Sequence, residues 1–150
     1  MRSVGVVVRL RSKGRPAAHV AVLEGSWASP IQLDSFDLTS VHTDIATQLS
    51  DLAAGLSSHL SGLNADRVVI RRADRPQHAS NAEGPRVRLL AEGALAAAAK
   101  IAVDDVIVLS GKDLAARSPA SSRDALDAHA VSALPGTQVE AAAAGLAGLA

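Results

Sequence analysis

The chain has 150 residues, 15 Lys and Arg against 15 Asp and Glu, and no cysteine. That length suits one domain spanning 1–150, with roughly two-thirds of the unfolded surface removable from water. The lack of cysteine excludes a disulfide framework, a zinc ribbon and a thiol nucleophile, and it suits a reducing cytoplasm. Hydrophobic residues make up 48%, yet Trp27 and Phe36 are the only large aromatics, so the core is expected to be packed with Ala, Val and Leu. No run reaches ~18 apolar residues, so no membrane span is expected. Arg9 and Arg11 cut short the apolar start Val4–Val8, which therefore reads as a strand and not as a leader.

The zero net charge hides segregation. Before Glu24 the charges are all cationic (Arg2, Arg9, Arg11, Lys13, Arg15), and from Glu24 to Asp66 they are all anionic. From Arg67 to Arg88 cations dominate again, against Asp74 and Glu83. Such a chain can present a bipolar surface.

Val4–Leu10 is β-branched and apolar, a buried strand. The polar stretch Arg11–Pro16 makes a turn to a second strand, Ala18–Leu23, and the two form a hairpin. Ile31–Leu38 alternates more weakly and reads as a third strand at an edge. Ile45, Leu49, Leu52, Leu56 and Leu60 recur at helical spacing; Thr43 or Ser40 is expected to cap that helix and Gly62 to close it. Val68–Ile70 is the fourth strand. Arg75–Pro85 reads as a loop, Val87–Ala99 as a second helix and Val106–Leu109 as a fifth strand. Ser121 or Ser122 caps a third helix through Val131, and after Pro135-Gly136 an Ala-rich helix fills Val139–Ala150. Three successive antiparallel strands followed by β-α-β units give an α/β mixed sheet with helices on both faces.

This order resembles the ribonuclease H-like fold, and within it the RuvC-type Holliday-junction resolvases. The opening hairpin Val4–Leu23 is similar to that family's first two strands. Ala65-Asp66-Arg67-Val68-Val69-Ile70-Arg71 is similar to its "P-D-x-V-x-I-E" strand, and Leu90–Ala98 to its "A-x-G-x-x-x-A-A" helix. Val139–Ala147 is similar to its "D-A-A-D-A-L-A-I-A" tail helix. The resemblance implies carboxylates that hold two Mg²⁺ ions for phosphodiester cleavage. Here the first-strand Asp falls near Val7, the fourth-strand Glu on Arg71, and the tail pair near Val139 or Glu140 and on Ala143 or Ala144. Glu140 alone could survive from that set. The expectation is therefore a pseudo-nuclease with no catalytic residue, no metal site and no cofactor.

In this topology the first and fourth strands are parallel neighbours, so Arg9, Arg11, Lys13, Arg15, Arg71, Arg72, Arg75, Arg86 and Arg88 gather at one end of the sheet. Ligands of open α/β sheets favour the carboxyl ends of strands. The reading is a cationic groove that holds phosphate backbones of duplex or branched DNA without cutting them. The competing reading is that these cations are solvated, or pair with Asp34, Asp37 and Asp74. The scarcity of aromatics argues against stacking on single strands. An acidic protein partner would fit the same patch, which makes a protein-interaction subunit the alternative function. A third reading is a nuclease with a displaced metal site built from Asp37, Glu92 or Glu140. A homodimer is expected from the resemblance, with Gly145 and Gly148 as a seam or as a helix-on-sheet contact.

Other candidates read as structural. The five histidines show no ligand spacing. Ser110-Gly111-Lys112 lacks the rest of a phosphate loop and reads as a turn. Asp124 and Asp127 sit near a helix start, where acids are favoured.

Overall fold

The computed structural model describes residues 1–74 and 83–150. The chain opens with three strands, β1 (Arg2–Leu10), β2 (Pro16–Ser26) and β3 (Ser29–Leu38), paired antiparallel in succession. The β1–β2 turn is a short 3-10 turn in which Lys13 (φ 61°) and Gly14 (φ 68°) take left-handed backbone. Next come α1 (Ile45–Leu60), β4 (Arg67–Arg71), α2 (Glu83–Ala102) and β5 (Asp105–Leu109). The chain finishes with α3 (Gly111–Ala116), α4 (Arg123–Ala133) and α5 (Val139–Gly148). The sheet order is β3-β2-β1-β4-β5, with β1, β4 and β5 parallel. The expected mixed sheet is present, β3 lies at its edge, and helices cover both faces.

Alternation along the strands sorts the core. Val4, Val6 and Val8 of β1, with Val68 and Ile70 of β4, face α1 and α2 and meet Leu52, Leu56, Leu60, Ala91 and Leu95. Val7, Ala21 and Val69 face the other way, toward α4 and α5. Every residue of α5 from Ala141 to Gly148 is buried. Gly5 is what lets it come so close: a methyl group there would fall on the carbonyl oxygen of Ala141 and the backbone nitrogen of Gly145. Gly148 likewise leaves room for Ser3 and Val69. Gly145 and Gly148 thus face the sheet, which removes them as a dimer seam.

Several local expectations are corrected. Asp44, not Thr43 or Ser40, caps α1: its carboxylate accepts from the Thr47 N–H (2.9 Å) and hydroxyl (2.6 Å). Those two bonds, the hydroxyl first, hold the Asp44 carboxyl below the ordinary carboxylate range. The second helix begins at Glu83, so Pro85 lies in its first turn and not in a loop; the first turn needs no N–H there. Ser110-Gly111-Lys112 opens α3, and the Ser110 hydroxyl caps it by accepting from the Asp113 N–H (3.2 Å). Ser122, one of the two caps expected, does cap α4, which runs past Val131 to Ala133. No helix among the described residues is long and apolar enough to cross a membrane.

Candidate nucleic-acid interface at the strand ends

Parallel pairing brings the carboxyl ends of β1 and β4 side by side, with Val7 directly across from Arg71. Arg71 and Arg72 then diverge, because successive residues of an extended chain point to opposite sides. Arg71 turns under α4 and α5 and is 3% exposed. Its guanidinium forks onto Asp127 of α4, with Nη1 to Oδ1 at 2.5 Å and Nη2 to Oδ2 at 3.2 Å. Nη2 also lies 3.8 Å from Glu140 Oε1 at the start of α5. The other Glu140 oxygen accepts from Arg9. Gly111 makes the notch for this arrangement: a Cβ there would lie 2.7 Å from the Arg71 Nη2.

The result is a row of alternating charge, Asp127–Arg71–Glu140–Arg9, that neutralises itself. A bidentate guanidinium–carboxylate pair is geometrically specific, and burial makes loss of one partner costly. Of the positions that the resemblance assigns to metal-binding carboxylates, the two on strands are Val7 and Arg71, while the tail helix keeps Glu140, which answers Arg9 and Arg71. Among the described residues, no three carboxylate or imidazole side chains gather into a group able to hold a metal ion. Asp37 pairs with Arg11 (3.0 Å) and with His19 (2.5 Å). Glu92 is buried and accepts from the Ala73 N–H (2.9 Å) and from Arg88 Nε (3.0 Å). Each carboxylate considered for a displaced metal site is therefore engaged by a basic side chain at its own location.

Arg72 behaves differently from Arg71. Its backbone N–H continues the ladder to the Leu109 carbonyl (2.9 Å), while its side chain remains 41% exposed, 3.9 Å from Asp113. It stands between two open cavities. One, of about 670 Å³, is walled by charged and polar groups that include Lys112, Asp113, Arg123 and Asp124. The other, of about 550 Å³, has Arg9, Arg72 and Arg88 with Asp74 and Glu92, beside Leu10, Pro85 and Leu89. Gly84 connects that second cavity to a third, of about 430 Å³, lined by Lys13, Arg15 and Glu83 among others. The three are neighbours, the first two sharing Arg72 and Asp74 and the last two sharing Gly84, and together they make a strand-end track.

The structure brings Arg9, Lys13, Arg15, Arg72 and Arg88 to this track. Arg11 stands just past β1, bound to Asp37. Arg86 is exposed on the first turn of α2. Arg71 is walled off beneath it, so its place is structural. Arg75 lies outside the described residues. Sequence reasoning missed Lys112 and Arg123, which extend the track past β5, and the partnership of Asp127 with Arg71. Hydrogen bonds to Asp74 and then to Asp124 push the Arg123 pKa upward, so it stays charged. Asp127 carried only the signal of an acid near a helix start; that a strand-end arginine needed a buried counter-charge was foreseeable, but not which acid would supply it.

No protein-family model matches the sequence, and no curated protein matches it. Solved structures do. The chain is similar to RuvC of Thermus thermophilus, with a TM-score of 0.70 and 16% identity over 98% of this chain and 92% of that one. It is also similar to the same organism's RuvC in complex with a Holliday junction substrate, with a TM-score of 0.71 and 15% identity over 98% of this chain and 91% of that one. At such identities the likeness speaks for the fold, which is α/β, ribonuclease H-like and RuvC-like.

Proposed function

We propose that this RuvC-like chain binds duplex or branched DNA along its strand-end track and does not cut it. The observation that carries the reading is the Arg71 guanidinium held between Asp127 and Glu140, directly beside Val7. Two dications need converging carboxylates; a buried guanidinium supplies a positive charge that repels them. What supports nucleic acid is the chained track with Arg9, Lys13, Arg15, Arg72 and Arg88, flanked by Arg11 and Arg86. The similarity to a RuvC structure that holds a Holliday junction also favours it. Phosphates would be held by exchange of the present carboxylate partners, for example Glu140 on Arg9, for backbone phosphate.

Those pairings also favour a second reading, in which the surface meets a protein partner and the fold is a scaffold. Binding to labelled duplex and four-way-junction DNA, at low and moderate salt and with or without Mg²⁺, separates the two. Some five phosphate contacts would weaken binding about 500-fold between 50 and 200 mM salt. Absence of binding at low salt would leave the protein-partner reading; Mg²⁺-dependent cleavage would overturn both. The proposed protein is a homodimer, whose seam must lie elsewhere than Gly145 and Gly148; sedimentation velocity measures it.

A further inference from the structure

We infer that the outer edge of β3 is a docking site for an extended basic peptide, which joins the five-stranded sheet as a further strand. None of the residues that form it lines the strand-end track, so the inference stands apart from the nucleic-acid reading. A strand at a sheet edge presents unpaired N–H and C=O groups that another chain can take up. The two edges of this sheet differ in what they offer. β5 is 5 residues long and mostly half-buried. β3 is 10 residues long and exposed along most of its length, and among the described residues nothing pairs with its outer side. Pro30 and the bulge that leaves Leu33 without a partner blunt its first half. Over residues 34–38 the register with β2 is regular and no proline interrupts it.

Charge decides the occupant. Residues 29–60, which form β3 and α1, carry Asp34, Asp37, Asp44 and Asp51 and neither Lys nor Arg. Alternation puts Asp34 and Phe36 on the α1 face of the edge, and Ser35 and Asp37 on the α5 face. Phe36 stacks on His59 of α1, with ring centroids 3.9 Å apart. Asp37 already answers Arg11 and His19. Asp34 is exposed and makes no ion pair among the described residues. The Ser40 hydroxyl donates to Asp51 (2.6 Å), which holds a further carboxylate just past the end of the strand. An anionic backbone is repelled from such an edge. A two-fold pairing with a second copy, centred on residues 34–38, would set acid beside acid. A strand with Lys or Arg opposite Asp34 and an apolar side chain opposite Phe36 meets both requirements. Main-chain hydrogen bonds hold it, and its alternate side chains give the match.

The test follows the anisotropy of a fluorescein-labelled peptide, Thr-Val-Lys-Val-Thr-Arg-Thr, and of the same peptide with Glu in place of Lys and Arg. In antiparallel register the basic peptide sets its Arg opposite Asp34 and a Val opposite Phe36. It should bind about tenfold more tightly than the acidic one at low salt. N-methylation of alternate peptide amides separates strand addition from simple attraction of charge. Methyl groups on the amides that face β3 should abolish binding, and methyl groups on the other set should preserve it. Asp34→Lys, at an exposed position and with folding checked by circular dichroism, should weaken the basic peptide about tenfold and leave sedimentation velocity unchanged. No binding of the basic peptide, equal binding of the basic and acidic peptides, or equal binding of the two methylated forms would overturn the docking site. Unchanged affinity in Asp34→Lys would overturn its placement at β3. A change of oligomeric state in Asp34→Lys would overturn the occupant and assign the edge to a second copy of the chain. None of these outcomes bears on DNA binding, which is measured separately.

Discussion

On one side of the sheet, Leu52, Leu56 and Leu60 of α1 and Leu95 of α2 reach down onto the valines of β1, β2 and β4. On the other, α5 lays alanines and glycines against Gly5, Val7 and Ala21, so that helix backbone approaches strand backbone. The first face meets the sheet through side chains, whereas on the second α5 meets β1 backbone to backbone, with Leu23, Leu114, Leu126 and Leu146 packed around that contact. The difference extends to the strand ends. Because α5 lies so close, the start of that helix brings Glu140 within reach of both Arg9 and Arg71, and α4, packed on α5, delivers Asp127. The charged row is thus a product of the close-packed face, whereas Glu92, on the α1–α2 face, answers Arg88 of its own helix and the Ala73 N–H.

The comparison can be broken most severely at Gly5. Gly5→Val should cost upwards of about 4 kcal/mol, read as loss of soluble folded protein, because backbone and not a flexible side chain stands in the way. Asp127→Ala comes next. It leaves the Arg71 guanidinium buried without its fork, and should lower the unfolding free energy by about 3–4 kcal/mol in a denaturant titration. The double substitution Arg71→Met with Asp127→Leu removes both charges and should stay within about 1 kcal/mol of the parent. A double variant as unstable as Asp127→Ala would show that the ion pair itself stabilises the fold.

Leu56→Ala probes the opposite face and should cost about 2–3 kcal/mol, since the cavity there is bordered by side chains that can relax. At the surface, Arg72→Ala should weaken DNA binding and reduce its salt slope by about one unit, while Arg71→Met leaves the slope unchanged. Equal effects of the two would show that Arg71 reaches phosphate after all. The smallest effect is expected at Asp44. Its folded pKa lies below the unfolded one, so its capping contribution is present above the ordinary carboxylate range and is lost as pH falls through the lowered value. Thermal melts of Asp44→Ala and the parent should therefore converge toward low pH.

The face covered by α1 and α2 was legible because it obeys a period. Leu52, Leu56 and Leu60 announce a helix, the Val runs announce strands, and β-β-β-α-β-α-β announces the mixed sheet. The gathering of Arg9, Lys13, Arg15, Arg72 and Arg88 at one end also followed from topology, since parallel strands open on the same side. The start of α2 and all of α3 were not legible: Pro85 and Gly111 read as breakers, and only their places in a first turn make them compatible with helix. Nor was the different fate of two adjacent arginines. Arg71 and Arg72 are chemically identical in the sequence, yet one is 3% exposed and paired while the other borders two cavities.

By itself, then, the sequence determined the five strands, the longer helices, their order and the sheet topology. The tertiary structure decided which acid answers which arginine. Periodicity and propensity act between residues a few positions apart, whereas Asp127 and Glu140 meet Arg71 across more than fifty residues, through how closely α5 can approach the sheet. That approach is set by Gly5, Gly145 and Gly148 and the space they leave open, and its consequence for charge exists only once the helix is in place.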